Sequence, residues 1–177
     1  MNFLEIENLI NSLILVSKGE IKKENLKEAI IPNYTDSNGN GCFHFLTEYS
    51  FEKFCIRNIE LNNNQEIINF QKYNDIKNQY IQQIKSFIEI LLYLNCDIIS
   101  PNKNKENPLT LSIIKGNYIL SKEYLKIQEK IGIYNENDYY EILKLIINNG
   151  ICFDQDFIEL IMMVISTCDQ NKNNIFN

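Results

Sequence analysis

Apolar residues at the start of the chain recur at spacings of three and four, which is the period of an amphipathic helix. In residues 3–16 this apolar stripe consists of Phe3, Ile6, Leu9, Ile10, Leu13 and Ile14. Gly19 is placed to end that helix, and a second helix is predicted over residues 22–30, where Pro32 stops it. The DSNG segment at residues 36–39 then has turn chemistry at every position.

The rest of the chain continues this alternation of helices and turn-rich connectors. Further helices are predicted over residues 43–49, 73–94, 108–115, 121–129, 139–148 and 156–167. Asn95 is expected to close the longest of these in the left-handed conformation. Residues 51–71 have no regular pattern, and residues 131–138 are predicted to form a loop. With only 6 Gly and 3 Pro, the chain has few turn-makers for a sandwich or barrel of short strands, so an all-α fold is predicted.

The 177-residue chain is acidic, with a net charge of -6. Nucleic acids and anionic membranes attract basic surfaces, so neither is predicted as the main partner. The charge is uneven: residues 1–130 carry 16 acidic and 15 basic side chains, whereas residues 131–177 carry 7 acidic and 2 basic ones. This asymmetry has two interpretations, an acidic binding end or a solubilising terminal cap.

The cysteines and the N-terminal residues favour a cytoplasmic protein. Five Cys at wide spacings, without a C-x-x-C pair, indicate reduced thiols and argue against a disulfide framework or a zinc site. Glu5 and Glu7 stand where a signal peptide would carry positive charge. The longest apolar run of this N-terminal segment, residues 13–16, is far too short to cross a bilayer.

Two half-motifs return in a fixed order along the chain. The first is DSNGNGCFHFL at residues 36–46, which returns as NKNKENPLTLS at residues 102–112. The second is FIEILLYLNCDII at residues 87–99, which returns as EILKLIINNGICFD at residues 141–154. Together they resemble the ankyrin repeat, whose pattern runs D-x-x-G-x-T-P-L-H-x-A and then a second helix ending L-L-x-x-G-A-D-I-N.

Individual residues carry this resemblance. In the first unit, Asp36, Gly39, Phe43 and His44 match the family's Asp, Gly, Leu and His, whereas Gly41 and Cys42 replace the usual Thr and Pro. In the second half, Leu91 and Leu92 match the Leu pair and are expected to be buried, with Asn95 in place of Gly. In the returning unit, Pro108 and Leu109 are in register and Thr110 stands where His is usual.

The resemblance implies a single domain over residues 1–177, built as a solenoid of stacked helix pairs. Its repeats would span about residues 3–35, 36–101, 102–153 and 154–170. The second repeat is about twice the usual length of about 33 residues, because residues 51–72 form an insertion. A shorter insertion is expected near residues 131–138. Such arrays bind partners on the faces formed by hairpin tips and first helices, so the implied function is binding and not catalysis.

Candidate chemistry does not change this interpretation. His44 is the only His, and the resemblance gives it a structural role in which hydrogen bonds tie its hairpin to the neighbouring unit. Cys42 stands in a proline position at a helix start, and Asp156 suits the first turn of a helix. Of the pairs Tyr139-Tyr140 and Phe43/Phe45, one member each is expected in the core, and Met162-Met163 is expected to pack as part of a cap. No catalytic residue, metal site or cofactor is predicted.

We therefore expect a stand-alone inhibitor or immunity-type protein that neutralises a basic protein partner such as a toxin. One alternative is a host- or virus-interacting ankyrin adaptor or effector. Two others are an enzyme hidden in residues 51–72 and a self-assembling array, and the oligomeric state stays open. The predicted partner-binding residues are Glu136, Asp138, Glu141, Asp154, Asp156 and Glu159 at the acidic end, with Asn38 and Lys103 at the hairpin tips.

Overall fold

The computed structural model describes residues 3–26, 30, 34–60, 70–132, 136–149 and 155–175. This part of the chain is all-helical and contains no strand. It divides into two compact units, one formed by residues 1–97 and 101–105 and the other by residues 98–100 and 106–177. None of its helices is long and apolar enough to cross a membrane.

The first unit is built around its longest helix. Its elements are α1 (Phe3–Ser17), a 3-10 turn (Lys23–Asn25), α2 (Cys42–Leu46), α3 (Phe51–Glu60) and α4 (Phe70–Tyr93). Helix α4 packs against α1, α2 and α3. Tyr49 fills the centre of this unit, with its ring centroid 5.9 Å from that of Tyr80 and 5.6 Å from that of Phe87. Each of these buried rings contributes roughly 1.5–3 kcal/mol of hydrophobic free energy.

The second unit consists of two helix pairs. They are α5 (Pro108–Ile114) with α6 (Tyr118–Ile131), and α7 (Glu136–Asn149) with α8 (Gln155–Ile175). Helix α5 packs against α7, and α6 packs against α8, so each helix of one pair has a neighbour in the other. The fully buried residues that join them are Leu109, Ile113, Leu120, Tyr124, Leu125, Ile146, Leu160 and Val164.

Helix ends follow the predicted chemistry. Asn95 has φ 61°, and its N–H donates to the Leu92 carbonyl oxygen at 2.9 Å while the Cys96 N–H reaches Leu91 at 3.0 Å. These two bonds satisfy carbonyl groups that have no partner inside the helix, in the Schellman arrangement. Gly19 ends α1 in the same way, with φ 74°. The predictions for Asn95 and Gly19 are confirmed.

The segment at residues 51–71 has no regular sequence pattern and receives no assignment from it, and its first ten residues form α3. Phe54 is buried and its ring lies 5.4 Å from that of Tyr80 on α4, while Phe51 lies 5.4 Å from the same ring. These aromatic contacts with a later helix stabilise α3, and a local pattern does not reveal them. The proposed insertion therefore begins with a packed helix, and residues 61–69 lie outside the described residues.

Three other helices have different bounds in the structure from those predicted. Helix α6 begins at Tyr118, before the predicted residue 121, because the Asn117 side chain accepts from the Leu120 N–H at 3.4 Å. Helix α7 begins at Glu136, inside the predicted loop, and α8 continues to Ile175. Of the predicted helix at residues 22–30, the structure gives a 3-10 turn at Lys23–Asn25, and residues 27–29 are not described.

Candidate partner-binding surfaces

Two turns of the first unit share one hydrogen-bonding scheme. The Asp36 carboxylate accepts from the N–H groups of Asn38 and Asn40 at 2.9 and 2.8 Å, and the Asn102 side chain accepts from the Asn104 N–H at 2.9 Å. Burial raises the pKa of Asp36, but the hydrogen bonds from Asn40 and Asn38 outweigh it and leave the pKa below its ordinary value. In both turns the fourth residue has a positive φ, 80° at Gly39 and 65° at Lys105.

The two turns also bond to each other. The Lys103 N–H donates to the Asn38 carbonyl oxygen at 2.9 Å, and the Asn102 amide donates to Asn40 Oδ1 at 3.0 Å. The Lys103 ammonium group donates to the Ser37 carbonyl oxygen at 2.6 Å. Asn38 and Lys103, the predicted tip residues, therefore lie side by side, and both are exposed.

Each turn leads into a helix whose first turn is closed by a polar side chain. The Gly41 N–H donates to His44 Nδ1 at 3.1 Å, and His44 is buried. At the equivalent place, Asn107 accepts from the Thr110 N–H at 2.9 Å. The His44 imidazole therefore caps the helix on which it lies, and the expected hydrogen bonds from it to a neighbouring unit stay a prediction.

Two of the predicted acidic site residues, Asp156 and Glu159, share one partner on another helix. Asp156 is buried, and its Oδ1 lies 2.7 Å from the Lys122 ammonium nitrogen. Glu159 binds the same nitrogen. Burial alone would lower the pKa of Lys122, but the hydrogen bonds and charges of Asp156 and Glu159 raise it above its ordinary value. The first-turn position predicted for Asp156 is confirmed, whereas its pairing with Lys122 was not foreseen.

The remaining acidic residues are spread along α7 and the connector that follows it. Glu141 is exposed and lies 2.6 Å from Lys144, and Asp138 is half-buried. Glu136 is the first residue of α7, but its side chain is not described, and Asp154 lies outside the described residues. The structure describes the side chains of only Asp138 and Glu141 among these four, so the acidic binding end stays a prediction.

An exposed apolar stripe on α8 escaped the sequence interpretation. Met162 is 61% exposed, and Ile158 and Ile165, one helical turn away on either side, are also exposed. Cap packing was predicted for Met162, and this is wrong. The signal was present in the run FIELIMMVI, because its apolar residues extend beyond the single stripe that an amphipathic helix buries.

The aromatic pairs behave partly as predicted. Tyr139 is buried while Tyr140 is exposed, which confirms one core member for that pair. Phe43 and Phe45 are both buried, because every residue of the short helix α2 is enclosed. Neither ring of that pair is therefore available as an exposed anchor.

Two thiols lie together in the first unit. Cys42, the first residue of α2, and Cys96, which follows Asn95, are both buried and hydrogen-bonded to each other. The hydrogen bond that Cys96 makes to Cys42, followed by burial, raises the pKa of the Cys96 thiol. A thiol held protonated in this way is a poor nucleophile.

A metal centre needs several ligating side chains in one place. Within the described ranges, His, Cys, Asp and Glu side chains form no cluster of three or more that could hold a metal ion. Comparison with known proteins adds no assignment, since no protein-family model, curated protein or solved structure matches the chain.

Proposed function

We propose that this chain is an ankyrin-type protein-binding module that acts by occupying one protein partner, as a stand-alone inhibitor or immunity protein does. The observation that carries the proposal is the bond from the Lys103 N–H to the Asn38 carbonyl oxygen. It joins two turns of equivalent conformation, each of which leads into a capped helix. Repeated turn-helix units that bond to their neighbours are the basis of arrays that present extended binding surfaces.

The second unit supports the same proposal. Its helices form two pairs, with α5 and α6 packed against α7 and α8. A single helix pair of this size cannot cover its own apolar surface, so neighbouring pairs bury it jointly. Because the buried side chains hold the backbone, exposed residues of such a stack can vary without loss of the fold.

The two bonded turns at residues 36–39 and 102–105, here called the stacked turns, are suited to binding. Hydrogen bonds hold their backbone, while several of their side chains are exposed. Ser37, Asn38, Lys103 and Asn104 all expose their side chains at this place. A surface that is ordered before binding loses little conformational entropy when a partner docks. The net charge of -6 favours a partner with a basic surface, because opposite charges accelerate association.

Capture of a partner tests the proposal. The full chain is immobilised, exposed to lysate of the source organism, and retained proteins are identified by mass spectrometry. The double variant Asn38→Ala/Lys103→Ala is then titrated against the purified partner. We expect its affinity to fall at least about tenfold, which corresponds to about 1.4 kcal/mol.

The matched control is the double variant Asn25→Ala/Lys18→Ala. These residues are also an exposed amide and an exposed lysine in the first unit, but Lys18 follows α1 and Asn25 ends the 3-10 turn. The control is expected to bind as the unaltered chain does. Failure to retain any protein, or equal affinities of the two double variants, would contradict the proposal.

A further inference from the structure

Two cysteines that are distant in the sequence lie together where α2 meets the end of α4. Cys42 is the first residue of α2, and Cys96 directly follows Asn95, which caps α4. Helix α2 packs against α4, and the Cys96 thiol is hydrogen-bonded to Cys42. The proposed binding function makes no use of this pair of thiols, so the reason for their contact lies elsewhere.

Their surroundings give the two sulfur atoms different reactivity. The hydrogen bond with Cys96 lowers the pKa of the Cys42 thiol and outweighs the opposing effect of burial. The same hydrogen bond, together with burial, raises the pKa of Cys96, which therefore keeps its proton. Because oxidants react with the thiolate form, Cys42 is the sulfur that reacts first, and Cys96 is the thiol placed beside it.

Both thiols are covered, but they are close to the surface. Cys42 is 4% and Cys96 is 5% exposed. The residues on either side of Cys96, Asn95 and Asp97, are exposed, and the residue before Cys42 is Gly41, which has no side chain to cover it. Since both cysteines lie at helix ends, a small local displacement admits an oxidant as small as hydrogen peroxide, whereas a bulky disulfide reagent needs a larger opening.

We propose that Cys42 and Cys96 form a reversible redox site, in which a hydroperoxide converts the pair of thiols into a disulfide that fastens α2 to the end of α4. A thiolate that has a second thiol beside it is the arrangement that allows this conversion. The site goes beyond the proposed binding function and does not rest on it.

The reaction balances with hydrogen peroxide as the oxidant. The Cys42 thiolate attacks one peroxide oxygen, so that an S–O bond forms, the O–O bond breaks and hydroxide leaves. Cys42 is then a sulfenic acid, which condenses with a neighbouring thiol. The Cys96 sulfur attacks that of Cys42, the S–S bond forms as the S–O bond breaks, and the departing hydroxide takes the Cys96 proton and leaves as water. A dithiol reductant restores both thiols by exchange.

The disulfide has a mechanical consequence for the first unit. The chain between the two cysteines contains α3 and α4 and most of α2. A cross-link that closes a long loop stabilises a fold mainly by restricting the unfolded chain. Oxidation is therefore expected to make the first unit more resistant to unfolding, and reduction should remove this gain.

Mapping of disulfides in the full chain tests the site. The reduced chain is treated with hydrogen peroxide, remaining thiols are alkylated, and the chain is digested without reduction for mass spectrometry. We expect a peptide that links Cys42 to Cys96, and it should disappear after dithiothreitol. Exposed Met162 reports the dose, because peroxide converts it to the sulfoxide. The proposal is overturned if Cys42 and Cys96 are still alkylated once Met162 is oxidised, or if either is linked mainly to another cysteine.

Two serine variants test which sulfur reacts first. Cys96→Ser keeps a hydrogen-bond donor beside Cys42 but cannot form the disulfide, so a sulfenic-acid reagent such as dimedone should label Cys42. Cys42→Ser should leave Cys96 without label, because the raised pKa of Cys96 keeps it protonated. Equal labelling of the two variants would overturn the assignment of Cys42 as the attacking sulfur.

Urea denaturation tests the mechanical consequence. Peroxide should shift the unfolding midpoint of the unaltered chain to higher urea, and dithiothreitol should reverse the shift. Cys55→Ala is the matched control, since Cys55 is a half-buried thiol on α3 whose pKa is raised by burial, and it should show the same shift. Cys96→Ser should show none, although its methionines are oxidised equally. A shift of equal size in Cys96→Ser, or no shift in the unaltered chain, would overturn the disulfide as a stabilising device.

Discussion

Lys122 on α6 and Asp156 on α8 form an ion pair in which both side chains are nearly enclosed, with exposed fractions of 10% and 11%. Removing the ammonium group leaves a buried carboxylate without its counter-charge, which typically lowers the free energy of unfolding by about 3–5 kcal/mol. We expect Lys122→Met to have an effect of that size in urea denaturation monitored by circular dichroism.

Lys144→Met supplies the control for this prediction. Lys144 pairs with Glu141, but their side chains are 66% and 70% exposed, so water screens the pair. Its removal should change the free energy of unfolding by no more than about 1 kcal/mol. Equal losses in the two variants would show that the pair between α6 and α8 is not important for stability.

The Leu pair at the end of α4 allows a second test. Leu91 has no exposed surface, whereas Leu92 is 37% exposed, which corrects the expectation that both are buried. Leu91→Ala should lower the free energy of unfolding by about 2–5 kcal/mol, since it leaves a cavity. Leu92→Ala should cost clearly less in the same denaturation experiment. A larger loss at Leu92 would mean that α4 is rotated about its axis relative to the structure.

The contrast between these neighbours shows where local patterns stop being informative. Adjacent residues on a helix differ by about 100° in direction, so a Leu pair can have one member in the core and the other at its edge. The motif located the end of α4 and the Asn95 cap correctly, because both depend on nearby residues. Whether Leu92 is buried depends on which helices cover that side of α4, and a local sequence pattern does not contain this information.

The candidate site was predictable to a similar extent. Asn38 and Lys103 were expected at turn tips from turn chemistry and from the resemblance to a repeat, and the structure brings them together. Asp156 and Glu159 were interpreted as part of an acidic end because residues 131–177 carry few basic side chains. Their partner Lys122 lies in residues 1–130, where acidic and basic side chains are nearly equal in number, so the charge count did not connect the three residues. Such a count does not show ion pairs between helices that are distant in sequence. It also does not show that Met162 is exposed within the largely apolar run at residues 157–165.

Gly39 tests the stacked turns directly. Its φ of 80° disfavours any side chain, and a Cβ there would lie 3.2 Å from the Lys103 backbone nitrogen. Gly19 has a similar φ of 74° but no atom within 4 Å of the added Cβ. Gly19→Ala should therefore cost about 1–2 kcal/mol for the left-handed conformation alone, and Gly39→Ala should cost more. Equal losses in the free energy of unfolding, measured by urea denaturation, would mean that the two turns are not in close contact at Gly39.

The buried phenol of Tyr49 is expected to make the folded chain less stable at alkaline pH. Burial, only partly offset by the positive charge of Arg57, raises the pKa of its phenol from 10.0 to about 12. Between these two pH values the unfolded chain loses the phenol proton while the folded chain keeps it, so the free energy of unfolding falls as pH rises. Below pH 10.0 the phenol keeps its proton in both the folded and the unfolded chain, so this group does not lower the free energy of unfolding there. Tyr49→Phe should make the fall across this window shallower, and an unchanged slope in denaturant titrations would contradict the prediction.

The last prediction concerns the acidic end and the rate at which a basic partner associates. Glu136, Asp138 and Asp154 are preferable to Asp156 and Glu159 for charge reversal, because the latter two hold Lys122 and their reversal would disturb the fold.

If the acidic end steers a basic partner, changing Glu136, Asp138 and Asp154 to Lys should slow association at low salt by at least about tenfold. The difference should shrink as ionic strength rises and the Debye length falls to about 8 Å at 0.15 M. Stopped-flow measurement against the captured partner gives both rates, and circular dichroism verifies folding. A solubilising cap predicts the opposite outcome: an association rate that responds neither to salt nor to the reversal. In that case the stacked turns at Asn38 and Lys103 become the surface to test, since both residues are exposed and the Lys103 N–H is bonded to the Asn38 carbonyl oxygen.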